Sequence, residues 1–325
     1  MKSAAQRVRK QLLTLLSNGE FHSGEALAQT LNLSRTAVAG HISQLEQWGL
    51  NVFRVKGKGY RLDKPLTLLN AKSIRNAIEK PVIRANLDVA PILASSNATM
   101  KEHLKDYRNG DVLLAEIQTA GRGRHGREWV APVGGSLTFS MYWRFDDGYQ
   151  SMSGLSLLVG LAICQGLEKI GLDTAQLKWP NDVYVMGKKL AGVLVEVEGQ
   201  IGAPAHCVIG IGINVDIPED ANDVGQPHTD VRTQLGREVN RNELAAAIIE
   251  SLWFCLPKFA EGGFTPFIHE WVALDLYADK RVVLKMGEKR FTGINRGVDN
   301  SGALLVETVD GMTRFHGGEV SLRGH

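Results

Sequence analysis

The sequence predicts a multidomain α+β protein with three parts. Residues 1–64 read as a winged helix-turn-helix, 65–275 as a mixed-sheet domain, and 276–325 as a small SH3-like β-barrel. Three observations lead to this prediction. The first part combines helical periodicity with a basic hairpin, the second mixes strand and helix patterns without regular βαβ alternation, and the third alternates short strands with turns. At 325 residues the chain also exceeds one typical domain.

Composition narrows the classes of protein. Hydrophobic residues make up 44% and charged residues 22%, which is ordinary for a globular protein with a core. The formal net charge of +2 means that any basic surface must be local. Cys164, Cys207 and Cys255 are widely spaced, so we expect free thiols in a reducing cytoplasm. No secretory signal pattern and no run of 18 apolar residues appears, so we expect no membrane segment.

Residues 1–64 predict three helices and a hairpin. Apolar spacing predicts a first helix that ends at Asn18-Gly19, while Ser23 and Ser34 are suited to begin the second and third as N-caps. The apolar face of the third helix carries Val38, Ile42, Leu45 and Trp48. Two short strands, Val52–Val55 and Tyr60–Leu62, then flank the basic turn Lys56-Gly-Lys-Gly59.

This arrangement is typical of a DNA-binding module. The second helix of a helix-turn-helix enters the major groove with its first residues, and a basic wing meets phosphates. The DNA-binding candidates are therefore Ser34, Arg35, Thr36, His41, Lys56 and Lys58. The alternative is that the unit only packs against another domain or protein.

The central region predicts an irregular mixture of elements after a polar linker helix at Asn70–Lys80. The predicted strands are Val112–Ile117, Ser136–Trp143, Val183–Val185, Leu190–Val197 and Val208–Val215. The predicted helices are Ser95–Tyr107, Ser153–Ile170, Arg241–Ala260 and Phe264–Trp271. This order favours a mixed sheet over a doubly wound one. Beyond residue 280, turns are predicted at Gly287-Glu288, Asp299–Gly302, Asp310-Gly311 and Gly317-Gly318.

The segment Gly121-Arg-Gly-Arg-His-Gly-Arg127 is the most informative motif. Arginine side chains form bidentate hydrogen bonds with phosphate or carboxylate oxygens, and glycines let backbone N–H groups approach a ligand. The segment is therefore suited to hold an anion. It is not a Walker loop, and as a dinucleotide fingerprint it is weak. An RNA-binding arginine–glycine patch is the other alternative, but such patches lie in disordered tails, whereas this one lies between a strand and Trp129.

Three further clusters follow. They are Lys178-Trp-Pro-Asn-Asp182, Lys189-Leu-Ala-Gly192 and Gly210-Ile-Gly-Ile-Asn214. The first is either a structural turn or a ligand wall, and Lys189 either solvates a turn or points into a site. Together with the arginines they supply five cations, while no nucleophile motif appears. Such a site suits a reaction that accumulates negative charge, and nucleotidyl transfer to a carboxylate with Mg²⁺ fits it.

With these motifs in this order, nearly the whole chain resembles the biotin–protein ligases, in the bifunctional form that is also the biotin-operon repressor (BirA type). The resemblance implies that biotin and MgATP give biotinyl-5′-AMP, from which biotin passes to one lysine of the biotin carboxyl carrier protein of acetyl-CoA carboxylase. It also implies a homodimer, formed when the adenylate is bound as corepressor, that binds the biotin operator DNA. The dimer interface is then expected on an edge strand near Leu190–Val197.

The resemblance also implies residue roles. Biotin-binding residues are Ser95, Ser96, Asn97, Gln118, Arg122, Gly123, Arg124 and Lys189, of which Lys189, Arg122 and Arg124 are the catalytic candidates. Adenylate-binding candidates are Arg127, Trp129, Lys178, Asn181, Asp182 and Asn214, and no metal ligand is assigned. Trp129 and Leu194 are candidates for the apolar wall around the valeryl chain.

One residue and one segment of this sequence depart from the family pattern. Ala94 stands where the family usually has an aspartate, and residues 218–232 lack the tryptophan that packs near adenine in the well-known repressor. Two other functions stay open at this point: a biotin-sensing transcription factor with weak ligase activity, and a lipoate–protein ligase-like enzyme.

Overall fold

The structure is a computed structural model that describes residues 4–80, 83–200, 202–217, 227–316 and the backbone of 320–324. The predicted Gly317-Gly318 turn and most of the loop at 218–232 lie outside the described residues.

The N-terminal unit has three helices and a two-stranded wing, as predicted: α1 Ala4–Leu16, α2 Gly24–Leu31, α3 Arg35–Gln47, β1 Val52–Val55 and β2 Gly59–Leu62. Ser23 and Ser34 accept hydrogen bonds from the amides of Ala26 and Ala37, so both predicted N-caps are confirmed. Asn32 ends α2 in the left-handed conformation, at φ 53°.

The core of this unit extends into the central domain. Leucines of α1 and α2 and the apolar face of α3 form one cluster, which also includes Ile92 and Ile117 of the central sheet. Leu66 and Leu68 of the linker pack against the same cluster. The winged helix is therefore docked on the central domain by apolar contacts and is more than a tethered module.

The central domain is a seven-stranded mixed sheet with the order β3-β4-β5-β9-β8-β7-β6. Its strands are β3 Leu87–Leu93, β4 Val112–Gln118, β5 Ser136–Phe145, β6 Gln176–Lys178, β7 Asp182–Val185, β8 Lys188–Glu198 and β9 Ala205–Asn214. Only β3 and β4 are parallel; the other pairs are antiparallel. The predicted strands are confirmed within a few residues, and the mixed sheet with them.

Helices cover this sheet unequally. The long helices α6 Leu155–Lys169 and α8 Arg241–Gly262 pack together in the main hydrophobic core with the inner side chains of β5 and β9. On the opposite face the short helix α5 Ser96–Glu102 packs through Met100 against Tyr142 and Val208. The remaining helices are α4 Ala71–Ala77, α7 Val231–Leu235 and α9 Ile268–Ala273.

One segment of the described chain, Gly148–Lys169, is long and apolar enough to cross a membrane by length and composition alone. In the structure 61% of its apolar window is buried. It overlaps α6, whose contacts are those of a core helix.

The C-terminal part is a five-stranded antiparallel sheet with the order β13-β12-β11-β10-β14. Its strands are β10 Arg281–Met286, β11 Lys289–Val298, β12 Leu304–Thr308, β13 Gly311–Phe315 and β14 Val320–Gly324. Closure of this sheet into a barrel stays a prediction. The turn before β12 contacts the central domain, because Trp179 Nε1 donates to the Gly302 carbonyl at 3.0 Å.

Candidate active site

A cavity of about 930 Å³ opens on the face of the central sheet that carries α5. Every residue predicted to bind biotin or the adenylate lines it, so segments spread between Ser95 and Asn214 meet at one place. These residues are Ser95, Ser96, Asn97, Gln118, Arg122, Gly123, Arg124, Arg127, Trp129, Lys178, Asn181, Asp182, Lys189 and Asn214.

The uncharged end of the cavity is the start of α5. Ser95 is the N-cap of that helix, and the Ser96 amide donates to Gln118 Oε1 at 2.7 Å. Ser140 Oγ lies 2.7 Å from Ser96 Oγ and 2.5 Å from Asn97 Oδ1. This end therefore offers several fixed, neutral hydrogen-bonding groups, which suits an uncharged polar ring.

The glycine–arginine loop is folded on itself between β4 and β5. The Gly123 amide donates to the Arg127 carbonyl at 2.7 Å, and the Trp129 amide donates to the Gly121 carbonyl at 3.0 Å. Gly126 turns the chain at φ 72°. The loop is thus a tight hairpin that presents its arginines on a short scaffold.

The first two arginines of the loop have different partners. Arg122 Nη2 lies 2.8 Å from Glu196 Oε2, and Arg124 Nη1 donates to Asn181 Oδ1 at 2.8 Å. Burial lowers the pKa of Arg124, an effect that the nearby Asp182 carboxylate opposes. Arg127 is exposed at the rim of the cavity.

The indole of Trp129 forms a wall of the cavity against glycines of two strands. A Cβ on Gly212 would lie 2.4 Å from Trp129 Cε2, and one on Gly192 would lie 3.2 Å from Cζ3. A Cβ on Gly210 would likewise lie 2.4 Å from Asn97 Oδ1. Close packing at the site therefore favours glycine at positions 210 and 212, where any Cβ would force a neighbour to shift.

Lys189 and Asp182 meet at the cationic end. Lys189 Nζ lies 2.7 Å from Asp182 Oδ1 and 5.8 Å from the centroid of the Trp129 ring. A bulge in β8 explains this geometry, because Val183 pairs with Ala191 whereas Tyr184 pairs with Lys189. The extra residue lets Lys189 share a face with Gly192, three positions away, which a regular strand does not allow.

Lys178 is the most buried cation here. It is 8% exposed, and its Nζ donates to the hydroxyl of Tyr184 at 3.1 Å. Asn214 donates through Nδ2 to the Thr229 carbonyl at 3.0 Å and so fixes the segment that flanks Lys189. The cluster Lys178–Asp182 forms a turn and also lines the cavity, and its role as a ligand wall stays a prediction.

Several residues of the site were not predicted. Ser140 could have been noticed, because it is polar within an apolar strand. Lys285 and Gly287 of the C-terminal sheet also line the cavity, and no local pattern indicates this. His228 lines it too and forms a backbone bridge with Lys189.

The DNA-binding candidates all belong to the winged helix, and none of them lines the cavity. Ser34, Arg35 and Thr36 are exposed at the start of α3, and Lys56 and Lys58 are exposed on the wing. His41 is half-buried, and burial together with Arg9 lowers its pKa.

Comparisons with known proteins agree with this geometry. Residues 89–214 match the model of the Biotin/lipoate A/B protein ligase family, 7–61 match an HTH domain, and 278–323 match the Biotin protein ligase C terminal domain. The chain is similar to the Bifunctional ligase/repressor BirA of Escherichia coli strain K12, with 42% identity over 314 residues and 96% of each chain covered.

Two further similarities cover most of the chain. The Bifunctional ligase/repressor BirA of Bacillus subtilis is 32% identical over 322 residues, covering 97% of this chain and 98% of the relative. The biotin protein ligase of Aquifex aeolicus, solved in complex with biotin and ATP, gives a TM-score of 0.67 at 32% identity over 74% of this chain and 99% of that one. The chain belongs to the bifunctional ligase/repressor (BirA) family of biotin–protein ligases.

Proposed function

We propose that this chain is an ATP-dependent biotin–protein ligase. It forms biotinyl-5′-AMP and pyrophosphate from biotin and MgATP, then transfers biotin to a lysine of the biotin carboxyl carrier protein of acetyl-CoA carboxylase. The observation that carries the proposal is that one cavity joins a neutral, hydrogen-bonding end at Ser96 and Gln118 to a cationic end at Lys189.

The two ends match the two ends of biotin. The ureido ring is neutral and takes hydrogen bonds from the Ser95–Asn97 segment and Gln118, while Trp129 and Leu194 line the path of the valeryl chain. The carboxylate then reaches Lys189. Arg124, Arg127 and Lys178 surround the same end and receive phosphate oxygens.

The chemistry requires positioning and no covalent enzyme intermediate. A carboxylate oxygen of biotin bonds to the α-phosphorus of ATP, and the bond to the departing pyrophosphate breaks. Lys189 offsets the repulsion between the two anions. The carrier lysine later attacks the acyl carbonyl as a free amine, forms the amide and releases AMP together with its own proton.

Magnesium enters this scheme as part of the MgATP substrate. Within the described residues no group of three or more His, Cys, Asp or Glu side chains could hold a metal ion. Asp182, which lines the cavity, is already paired with Lys189. A magnesium ion that enters with ATP would therefore be held mainly by the phosphates and water.

We further propose that the adenylate-bound protein dimerises and represses transcription at the biotin operator. Arg35 and Thr36 would read base edges and Lys56 and Lys58 would contact phosphates. The expectation of an edge strand at Leu190–Val197 needs correction, since β8 lies between β9 and β7. Among the described residues, β7 pairs with Lys188–Gly192 on that side and Asn181 continues the contact to Val193. We propose that a partner's strand adds to the part of β8 beyond Val193.

The proposed domain boundaries remain at 64/65 and 275/276, between β2 and α4 and between α9 and β10. We also propose a cytoplasmic location, because the carrier protein and the operator are found there.

A labelled-biotin transfer assay tests the ligase. With ATP, a biotin acceptor domain should become labelled, and an excess of lipoate should not compete. If biotin is bound but not transferred, the chain would be a biotin-sensing transcription factor and not a ligase. Competition by lipoate at equal concentration would identify a lipoate ligase-like enzyme instead.

A further inference from the structure

Glu196 is a carboxylate that the ligase chemistry does not use, and it lies at the junction of two parts of the site. It projects from β8, and its side chain is 17% exposed. Its Oε2 accepts from Asn97 Nδ2 at 2.9 Å and lies 2.8 Å from Arg122 Nη2. Its Oε1 lies 3.2 Å from Lys101 Nζ.

These partners belong to different segments. Asn97 and Lys101 lie one turn apart on α5, the helix whose start is the neutral end of the cavity, whereas Arg122 is the first arginine of the loop. One carboxylate thus joins α5, β8 and the loop. Because Asn97 Oδ1 is already held by Ser140, its amide group is fixed in the orientation that donates to Glu196.

Glu198 provides an internal comparison two residues further along the same strand. It pairs with Lys101 at 2.8 Å but contacts neither Asn97 nor Arg122, and its side chain is 50% exposed. Glu196 and Glu198 therefore share strand, charge and one partner. They differ in their connection to the loop.

From this arrangement we propose that Glu196 is a positioning residue: it anchors the glycine–arginine loop to the biotin-binding helix through Arg122, so that the loop stays closed over the activated intermediate. Anchoring at Arg122 fixes the loop near its first residue, and the Arg124 contact with Asn181 fixes it near its middle. Loss of the first anchor lets the loop open at its β4 end. The proposal rests on the ligase function proposed above.

Limited trypsin digestion tests the anchor without any need for activity. Cleavage after Arg122, Arg124 and Arg127, followed by mass spectrometry, reports opening of the loop. In Glu196→Gln these cleavages should be about fivefold faster than in the wild type, a factor that fits the loss of one partly buried ion pair. Glu198→Gln should cleave at the wild-type rate. Equal rates for all three proteins would overturn the proposal.

A double-mutant cycle of Glu196 and Arg122, with biotin labelling as the readout, then connects the anchor to function. Glu196→Gln and Arg122→Ala should each increase biotin labelling of a non-cognate protein, and the double variant should label no more than the stronger single one. Additive effects would mean that the two residues act separately. Wild-type protein without any biotin transfer would contradict the ligase function but leave the trypsin comparison interpretable.

Folding of the variants is checked by their thermal midpoints. If Glu196→Gln does not fold, Glu196→Asp takes its place, since it keeps the charge but shortens the reach to Arg122. It should show faster loop cleavage than the wild type, and wild-type cleavage in this variant would also overturn the proposal.

Discussion

Lys189 Nζ lies 2.7 Å from Asp182 Oδ1, and the two side chains reach each other across neighbouring strands because β8 contains a bulge. The carboxylate holds the ammonium group at the cationic end of the cavity before substrate arrives. In the proposed reaction the lysine is thus pre-positioned for two anions, the biotin carboxylate and the α-phosphate.

Replacing Lys189 with Ala should slow adenylate formation about 10²–10³-fold, the usual effect of removing one group that stabilises transition-state charge. Biotin affinity should fall far less, because the neutral end of the cavity is intact. ATP–pyrophosphate exchange and biotin titration measure the two effects. Lys188→Ala, at an exposed neighbouring position, is the control. Normal exchange in the Lys189 variant would exclude the proposed role.

Replacing Arg124 with Ala should release biotinyl-AMP early. This side chain links the loop to Asn181, and without it the loop closes the cavity less well. Biotinylation of lysines on an unrelated protein should then increase. If the variant stays selective for the carrier protein, the loop is a binding wall and not a lid.

Replacing Gly212 with Ala should displace Trp129. The new Cβ would lie 2.4 Å from the indole, and overpacking of this kind costs about 1–3 kcal/mol. We expect a lower thermal midpoint together with weaker biotin binding. Gly40→Ala, where a Cβ meets nothing within 4 Å, should keep wild-type ligase activity. Unchanged biotin affinity in the Gly212 variant would show that the indole does not form the binding wall.

Replacing Arg35 with Ala should weaken binding to the operator by about 1–3 kcal/mol and reduce sequence discrimination, as expected for a base contact. Lys56→Ala should weaken binding to all DNA sequences alike. The slope of log affinity against log salt concentration should become smaller by about one, as expected for the loss of one phosphate contact. Gel-shift titrations with biotin and ATP measure both. No adenylate-dependent binding by the wild type would leave the winged helix as a packing module.

The cysteines should be inert in the folded protein. Burial raises the pKa of Cys164 and Cys207 to about 12, and that of Cys255 to about 11. At pH 8 all three are thus thiols, and reactivity should appear only as the pH rises toward these values or on unfolding. Iodoacetamide should leave ligase activity unchanged at pH 8 but label all three cysteines in denaturant. Rapid inactivation would indicate a reactive thiol at the site.

The glycines and cations of the cavity could be predicted from the sequence, because they occur in compact motifs. Strand β3 could not be predicted: Pro91 interrupts the strand pattern, yet it is tolerated because β3 is an edge strand. The bulge that redirects Lys189 depends on the pairing of β8 with β7. The position of Lys285 at the cavity depends on the docking of the C-terminal sheet, although Lys285 follows Lys189 by nearly one hundred residues. Such features arise from tertiary contacts, which local periodicity does not encode.

The docking of the winged helix has a consequence for the order of events during synthesis. The hydrophobic cluster of the N-terminal helices includes Ile92 and Ile117, which leave the ribosome after the whole wing. Domains generally fold as they emerge, from the N-terminus onward. Here the first domain to emerge cannot cover all of its apolar surface until β4 has been made. The DNA-reading unit is therefore completed by the enzyme that follows it on the chain.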